Sequence, residues 1–111
     1  MGKGDRLGEL EALVLAALLH AGDGANGAKI YEEIEQRVRR DPGVSGVHVT
    51  LRRLETKGLV SSSVGTPSER GGRPRRFYRV TPAGTGALRD FREMWDRMFD
   101  QLPLPESGGR G

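Results

Sequence analysis

Five arginines crowd into ten residues, Arg70, Arg73, Arg75, Arg76 and Arg79, with Glu69 the one acid beside them. A guanidinium offers a planar fork of N–H donors that fits phosphate oxygens in pairs, and arginine enters narrow minor grooves readily. Gly71, Gly72 and Pro74 interleave with these side chains, which lets the backbone lie close to a polyanion. A second group, Ser45, His48, Val49, Thr50, Arg52 and Arg53, stands earlier in the chain. Its members can donate to phosphates or base edges, or set an apolar atom against a thymine methyl. Taken singly, each group has a plainer reading: a solvated helix face for the second, a disordered linker for the first. Together they point to a nucleic acid.

Composition narrows the field further. The chain has 111 residues, enough for one domain, with 35% hydrophobic and 30% charged residues. A net charge of +3 and a pI near 9.8 favour anionic partners. There is no cysteine, which removes disulfides, thiolate metal sites and cysteine nucleophiles. His20 and His48 are the only histidines and are too far apart for an HExxH metal pair, so no metal or cofactor is expected. Acids are scattered, no Ser–His–acid set is suggested by spacing, and Gly65–Gly72 lacks the GKS/T ending of a phosphate loop. Catalysis is not expected. The apolar run Leu13–Leu19 is far too short to span a membrane, and Glu9 and Glu11 directly before it do not suit a signal peptide. A soluble cytoplasmic protein is the expectation.

Six elements can carry the two groups. Leu10, Leu13, Val14, Ala17 and Leu18 recur at helical spacing, with Leu15 and Leu19 widening the stripe, so a central helix is expected over Leu7–Ala21. Asn26 caps a second helix to about Arg39 on Ile30, Ile34 and Val38, and Asp41-Pro42-Gly43 stops it. Ser45 is expected to cap a third helix to about Lys57, seamed by Val47, Leu51 and Leu54 and closed by Gly58. Leu59–Val64 and Phe77–Val80 alternate as short strands. Thr81-Pro82 then opens a long helix, with Thr as cap and Pro in the first turn.

The expected fold is mainly α with a small β-hairpin. Three helices, then two strands, is the order of a winged helix-turn-helix, whose third helix enters the major groove while the hairpin wing reaches adjacent backbone or minor groove. The reading residues are then Ser45, His48, Val49, Thr50, Arg52 and Arg53, and the wing residues Arg70, Arg73, Arg75 and Arg76. The last helix carries an apolar stripe, Leu88, Phe91, Met94, Trp95, Met98, Phe99 and Leu102, broader than one small domain covers. A homodimer interface built from Leu88, Phe91, Trp95, Met98, Phe99 and Leu102 is expected. Trp95 with Met94 could also receive a flat aromatic effector, although such stripes are more often plain interface core. The chain divides into a loose start at 1–6, a DNA-binding domain at 7–81, a dimerisation helix at 82–102 and a loose tail at 103–111.

Three stretches carry a family resemblance. Leu7-Gly8-Glu9-Leu10-Glu11 with Val14-Leu15 leads into Gly27-Ala28-Lys29-Ile30-Tyr31-Glu32-Glu33-Ile34. Thr50-Leu51-Arg52-Arg53-Leu54-Glu55-Thr56-Lys57-Gly58-Leu59-Val60 follows, then Arg70-Gly71-Gly72-Arg73-Pro74-Arg75-Arg76-Phe77-Tyr78-Arg79-Val80-Thr81-Pro82-Ala83-Gly84. In this order they resemble the PadR-like transcriptional regulators, over about Leu7 to Leu88. The single helix after the wing resembles the compact branch of that family. The resemblance implies a homodimeric repressor of double-stranded DNA that binds an inverted-repeat operator and is released by a small effector. The family often has Tyr and Pro where His48 and Val49 stand, so base contacts are expected to differ there. The competing reading is a winged helix that binds protein instead of DNA, which would more naturally carry apolar or mixed-charge residues on its wing.

Overall fold

The structure, a computed structural model, describes residues 6–22, 24–65 and 75–105. Helix α1 spans Glu9–Ala21, strand β1 Ala25–Asn26, helix α2 Gly27–Val38 and helix α3 Val44–Thr56. Strands β2 (Val60–Val64) and β3 (Arg76–Val80) follow, then helix α4 (Pro82–Phe99). The element types match the sequence expectation except at β1. That two-residue strand pairs antiparallel with β3 through Ala25 opposite Tyr78 and Asn26 opposite Phe77. The hairpin is therefore the larger part of a three-stranded sheet of order β1-β3-β2. Two residues cannot display the alternation by which strands are recognised.

Helix α1 is the hub. Its Ala12, Val14, Leu15, Ala17 and Leu18 are buried, and it packs on α2, α3, α4 and β3. Leu19 departs from the expected stripe and is 52% exposed among the described residues. The largest fully buried side chains are Leu15, Ile30, Leu51, Leu54, Val14 and Val47, one set each from α1, α2 and α3. Burial of each such side chain contributes about 1.5–3 kcal/mol. This three-helix contact fixes the face that α3 turns outward.

The ends of the helices are set by single residues. Gly8 caps α1, and Glu11 reaches back to accept the Gly8 N–H at 2.8 Å. Asn26 caps α2 as expected, its side chain accepting the Lys29 N–H at 2.9 Å. Helix α3 begins one residue before the expected cap. Asp41 Oδ1 accepts the Gly43 N–H at 2.8 Å, and Gly43, at φ 82°, turns the chain so that Val44 is already helical. Ser45 thus sits inside the first turn. Gly58, at φ 77°, closes α3 in the left-handed conformation expected of it.

Helix α4 starts on a stitched seat. Thr81 accepts the Gly84 N–H at 3.1 Å through its hydroxyl, which donates to the Gly58 carbonyl at 2.7 Å. The Thr81 N–H also bonds the Leu59 carbonyl at 3.1 Å. Ala87 and Leu88 pack against the core, but beyond them the helix leaves the domain. Met94, Trp95, Met98 and Phe99 are 53%, 43%, 76% and 51% exposed. No helix among the described residues is long and apolar enough to cross a membrane.

Candidate nucleic-acid interface

Helix α3 has two faces, and the core decides which is which. Val47, Thr50, Leu51 and Leu54, spaced by three and four, are buried. The opposite face carries Ser45, His48, Val49, Arg52 and Arg53, all exposed. Thr50 corrects the expectation. At 3% exposure it belongs to the inner seam, since it stands three residues after Val47 and four before Leu54. Its hydroxyl is withdrawn from any ligand on the outer face.

The wing root meets this face. In β3 the side chains alternate, so Arg76 and Tyr78 share one side while Phe77 and Arg79 take the other. His48, Arg52 and Glu55 of α3, with Arg76 and Tyr78 of β3, line a polar notch of about 340 Å³. Arg75 and Arg76 are exposed. Arg70 and Arg73 lie outside the described residues. Among the described residues, none of Arg52, Arg53, Arg75 and Arg76 stands in an ion pair. Arg76 Nη1 instead donates to the Ser62 hydroxyl at 2.9 Å, and that hydroxyl donates to Glu55 Oε2 at 2.6 Å. Glu55 is thereby turned toward the strand.

Two polar anchors hold α3 in place. At its C-terminal end Lys57 Nζ meets Glu11 Oε2 at 2.8 Å, joining α3 to α1. Burial works to raise the pKa of Glu11. The hydrogen bonds from Lys57 and the Gly8 N–H, with the charges of Lys57 and Arg53, outweigh it and leave the carboxyl below its usual range. At the N-terminal end the Tyr31 hydroxyl donates to Asp41 Oδ1 at 2.7 Å, beside the Gly43 N–H on the same oxygen. That bond to Asp41 raises the Tyr31 pKa to about 12. Gly27 completes the fit, because a side chain there would meet the His48 imidazole, with Cβ 2.9 Å from Cε1.

Helix α4 carries the second candidate surface. Trp95 stacks on Phe99 with ring centroids 5.2 Å apart and leans on Phe91 at 5.7 Å. Met94, Trp95, Arg97, Met98 and Phe99 line an open hollow of about 490 Å³. Of the expected interface residues, Leu88 is partly spent on the chain's own core, Phe91 is half-buried, and Trp95, Met98, Phe99 and Leu102 are exposed. Glu55 and Tyr78 of the notch, and Ser62, which bonds Glu55 and Arg76, are residues that the sequence did not single out. The three-serine run Ser61–Ser63 in an otherwise apolar strand was the available signal. No cluster of metal-ligating side chains occurs among the described residues.

Known proteins share both the sequence and the arrangement. Residues 14–90 match the profile of the transcriptional regulator PadR-like family. The chain is 37% identical over 101 residues to the transcriptional regulator Rv3488 of Mycobacterium tuberculosis, covering 89% of this chain and 86% of that one. A PadR family transcription regulator from Clostridium difficile R20291 superposes with a TM-score of 0.70 at 22% identity, over 86% of this chain and 98% of the other. BpsR of Bordetella bronchiseptica, whose DNA binding is regulated by 6-hydroxynicotinic acid, shares the fold at a TM-score of 0.69 and 16% identity. That match covers 96% of this chain and 74% of BpsR.

Proposed function

This chain belongs to the PadR-like family of transcriptional regulators, and on that premise we propose that it is a homodimeric repressor of double-stranded DNA. The observation that carries the reading is the outer face of α3. Ser45, His48, Val49, Arg52 and Arg53 stand exposed together, and among the described residues their two guanidiniums have no ion-pair partner. The α3 face enters the major groove, where Arg52 and Arg53 take phosphates or guanine edges while Val49 meets a thymine methyl. Arg75 and Arg76, with Arg70 and Arg73 beyond them, bind the flanking backbone.

Helix α4 supports the dimeric reading. An exposed row of Trp95, Met98, Phe99 and Leu102 is apolar area that water disfavours, and a second copy of the helix covers it symmetrically. A two-fold pair sets two α3 helices about one turn of DNA apart, roughly 34 Å, which suits an inverted repeat. The hollow beside Trp95 suits a small aromatic effector, held between subunits by stacking on the indole. An effector seated there shifts one α4 against the other and so changes the spacing of the α3 pair.

The test is an anisotropy titration against DNA from upstream of the protein's own gene, with unrelated duplex as competitor. Preferential binding of two protomers per site supports the reading. Equal affinity for every duplex removes the repressor, and absence of binding at low salt favours the protein-binding alternative.

A further inference from the structure

The three-residue chain Glu55–Ser62–Arg76 links the last turn of α3 to both strands of the wing root. Ser62 faces Tyr78 across the β2–β3 ladder, and Arg76 faces Val64 on the next same-face position, so both project toward α3. The Ser62 hydroxyl has one proton and two acceptor positions. It gives the proton to Glu55 at 2.6 Å and accepts one N–H of Arg76 at 2.9 Å. Both bonds are charge-assisted, which makes them stronger and more directional than neutral ones. A guanidinium has five N–H donors, so four remain for another acceptor.

The interposed hydroxyl matters for charge as well as for position. A direct Arg76–Glu55 pair would spend the bidentate edge of the guanidinium on a carboxylate. With Ser62 between them, Arg76 is oriented through a single N–H and, among the described residues, keeps the rest of its fork. An acid standing beside a polyanion site costs affinity by repulsion unless it does something else there.

We propose that Ser62 and Glu55 are positioning residues that latch the wing root to the recognition helix and aim the free edge of Arg76 at DNA. The proposal rests on the DNA-binding reading above for its use, but the latch itself is a property of the free protein. Losing it leaves the charge count of the wing unchanged and loosens the angle between wing and helix.

Two measurements separate the latch from its use. In the free protein, Ser62→Ala should speed hydrogen exchange of the Gly65 amide, which donates to the Arg75 carbonyl across the ladder, about threefold or more, while Ser62→Thr, which keeps the hydroxyl, should not. Unchanged exchange in Ser62→Ala overturns the latch whether or not the protein binds DNA. On a duplex that the wild type binds, Ser62→Ala should weaken affinity about tenfold with the salt slope unchanged, and Ser62→Thr should restore it. Glu55→Ala gives a sign test. Simple electrostatics predicts tighter binding once an acid is removed, whereas the latch predicts weaker binding. Tighter binding by Glu55→Ala overturns the proposal. Faster exchange in Ser62→Ala, with a wild type that binds no duplex, keeps the latch and refutes the DNA-binding reading instead.

Discussion

Gly84→Ala sets two physical effects against each other in one methyl group. Glycine within a helix costs about 1 kcal/mol relative to alanine, so propensity alone predicts a more stable protein. Gly84, however, is the buried residue where α4 crosses the start of β2. A Cβ there would collide with the Leu59 carbonyl oxygen and lie 2.9 Å from Val80 Cγ1. The obstructing atom is backbone, and it already accepts the Thr81 N–H at 3.1 Å, so it cannot rotate aside. Overpacking of this kind costs about 1–3 kcal/mol, and a rigid obstacle places it at the upper end. The expected net is a loss of about 2 kcal/mol, which for a domain near this size lowers Tm by roughly 8–16 °C. Gly86 is the control, because a Cβ there meets nothing within 4 Å. Gly86→Ala should raise stability by about 0.5–1 kcal/mol. Both are read by thermal and urea unfolding at one fixed protein concentration, since the stability of the proposed dimer would depend on it. Equal stabilisation by the two alanines would refute the packing of α4 on Leu59, and with it the direction in which α4 carries its apolar row.

Other perturbations probe the remaining links. Met98→Glu puts a charge on the most exposed residue of the α4 row, 76% exposed, and should yield monomer by light scattering at micromolar concentration. Dimer persisting there would move the interface elsewhere. Glu11→Gln removes the charge that Lys57 meets at 2.8 Å and should cost about 2 kcal/mol at pH 7, by urea midpoint. Because the folded pKa of Glu11 is lowered, its contribution is complete above the unfolded value of about 4.3 and is lost as pH falls through the folded one. The gap between variant and wild type should therefore close toward pH 3, and a gap independent of pH would rule out the charge as its source. Arg75→Ala should lower the slope of log affinity against log salt by about one, whereas Val49→Ala should leave the slope and change sequence preference. Identical effects from the two would refute the division between backbone and base contacts.

Much of this architecture was legible in the residues because local chemistry and burial agree. Asn26, Gly58 and Thr81-Pro82 end or begin helices by cap geometry, which depends on near neighbours only. The inner seam of α3 was read from Val47, Leu51 and Leu54, and spacing alone also places Thr50 on it. Its polarity argued for the outer face, and packing overrode that. Ser45 lost the cap to Gly43 because Asp41 gathers the turn by accepting the Gly43 N–H, and Asp41 is itself held by Tyr31 of α2, a bond that depends on how the helices meet. Strand β1 and the Glu55–Ser62–Arg76 chain need partners that only the folded sheet brings together. Leu19 was assigned to the stripe because periodicity marks an apolar position without saying whether its neighbour is the same chain.

The central claim is that the α3 face and the wing grip DNA in a two-fold protein. The most direct measurement is a titration of the upstream duplex at two salt concentrations, with the binding stoichiometry determined in the same samples. The account predicts two protomers per site, preference over unrelated duplex, and a steep loss of affinity as salt rises through counterion release. Binding by a monomer, or affinity indifferent to both salt and sequence, would contradict it.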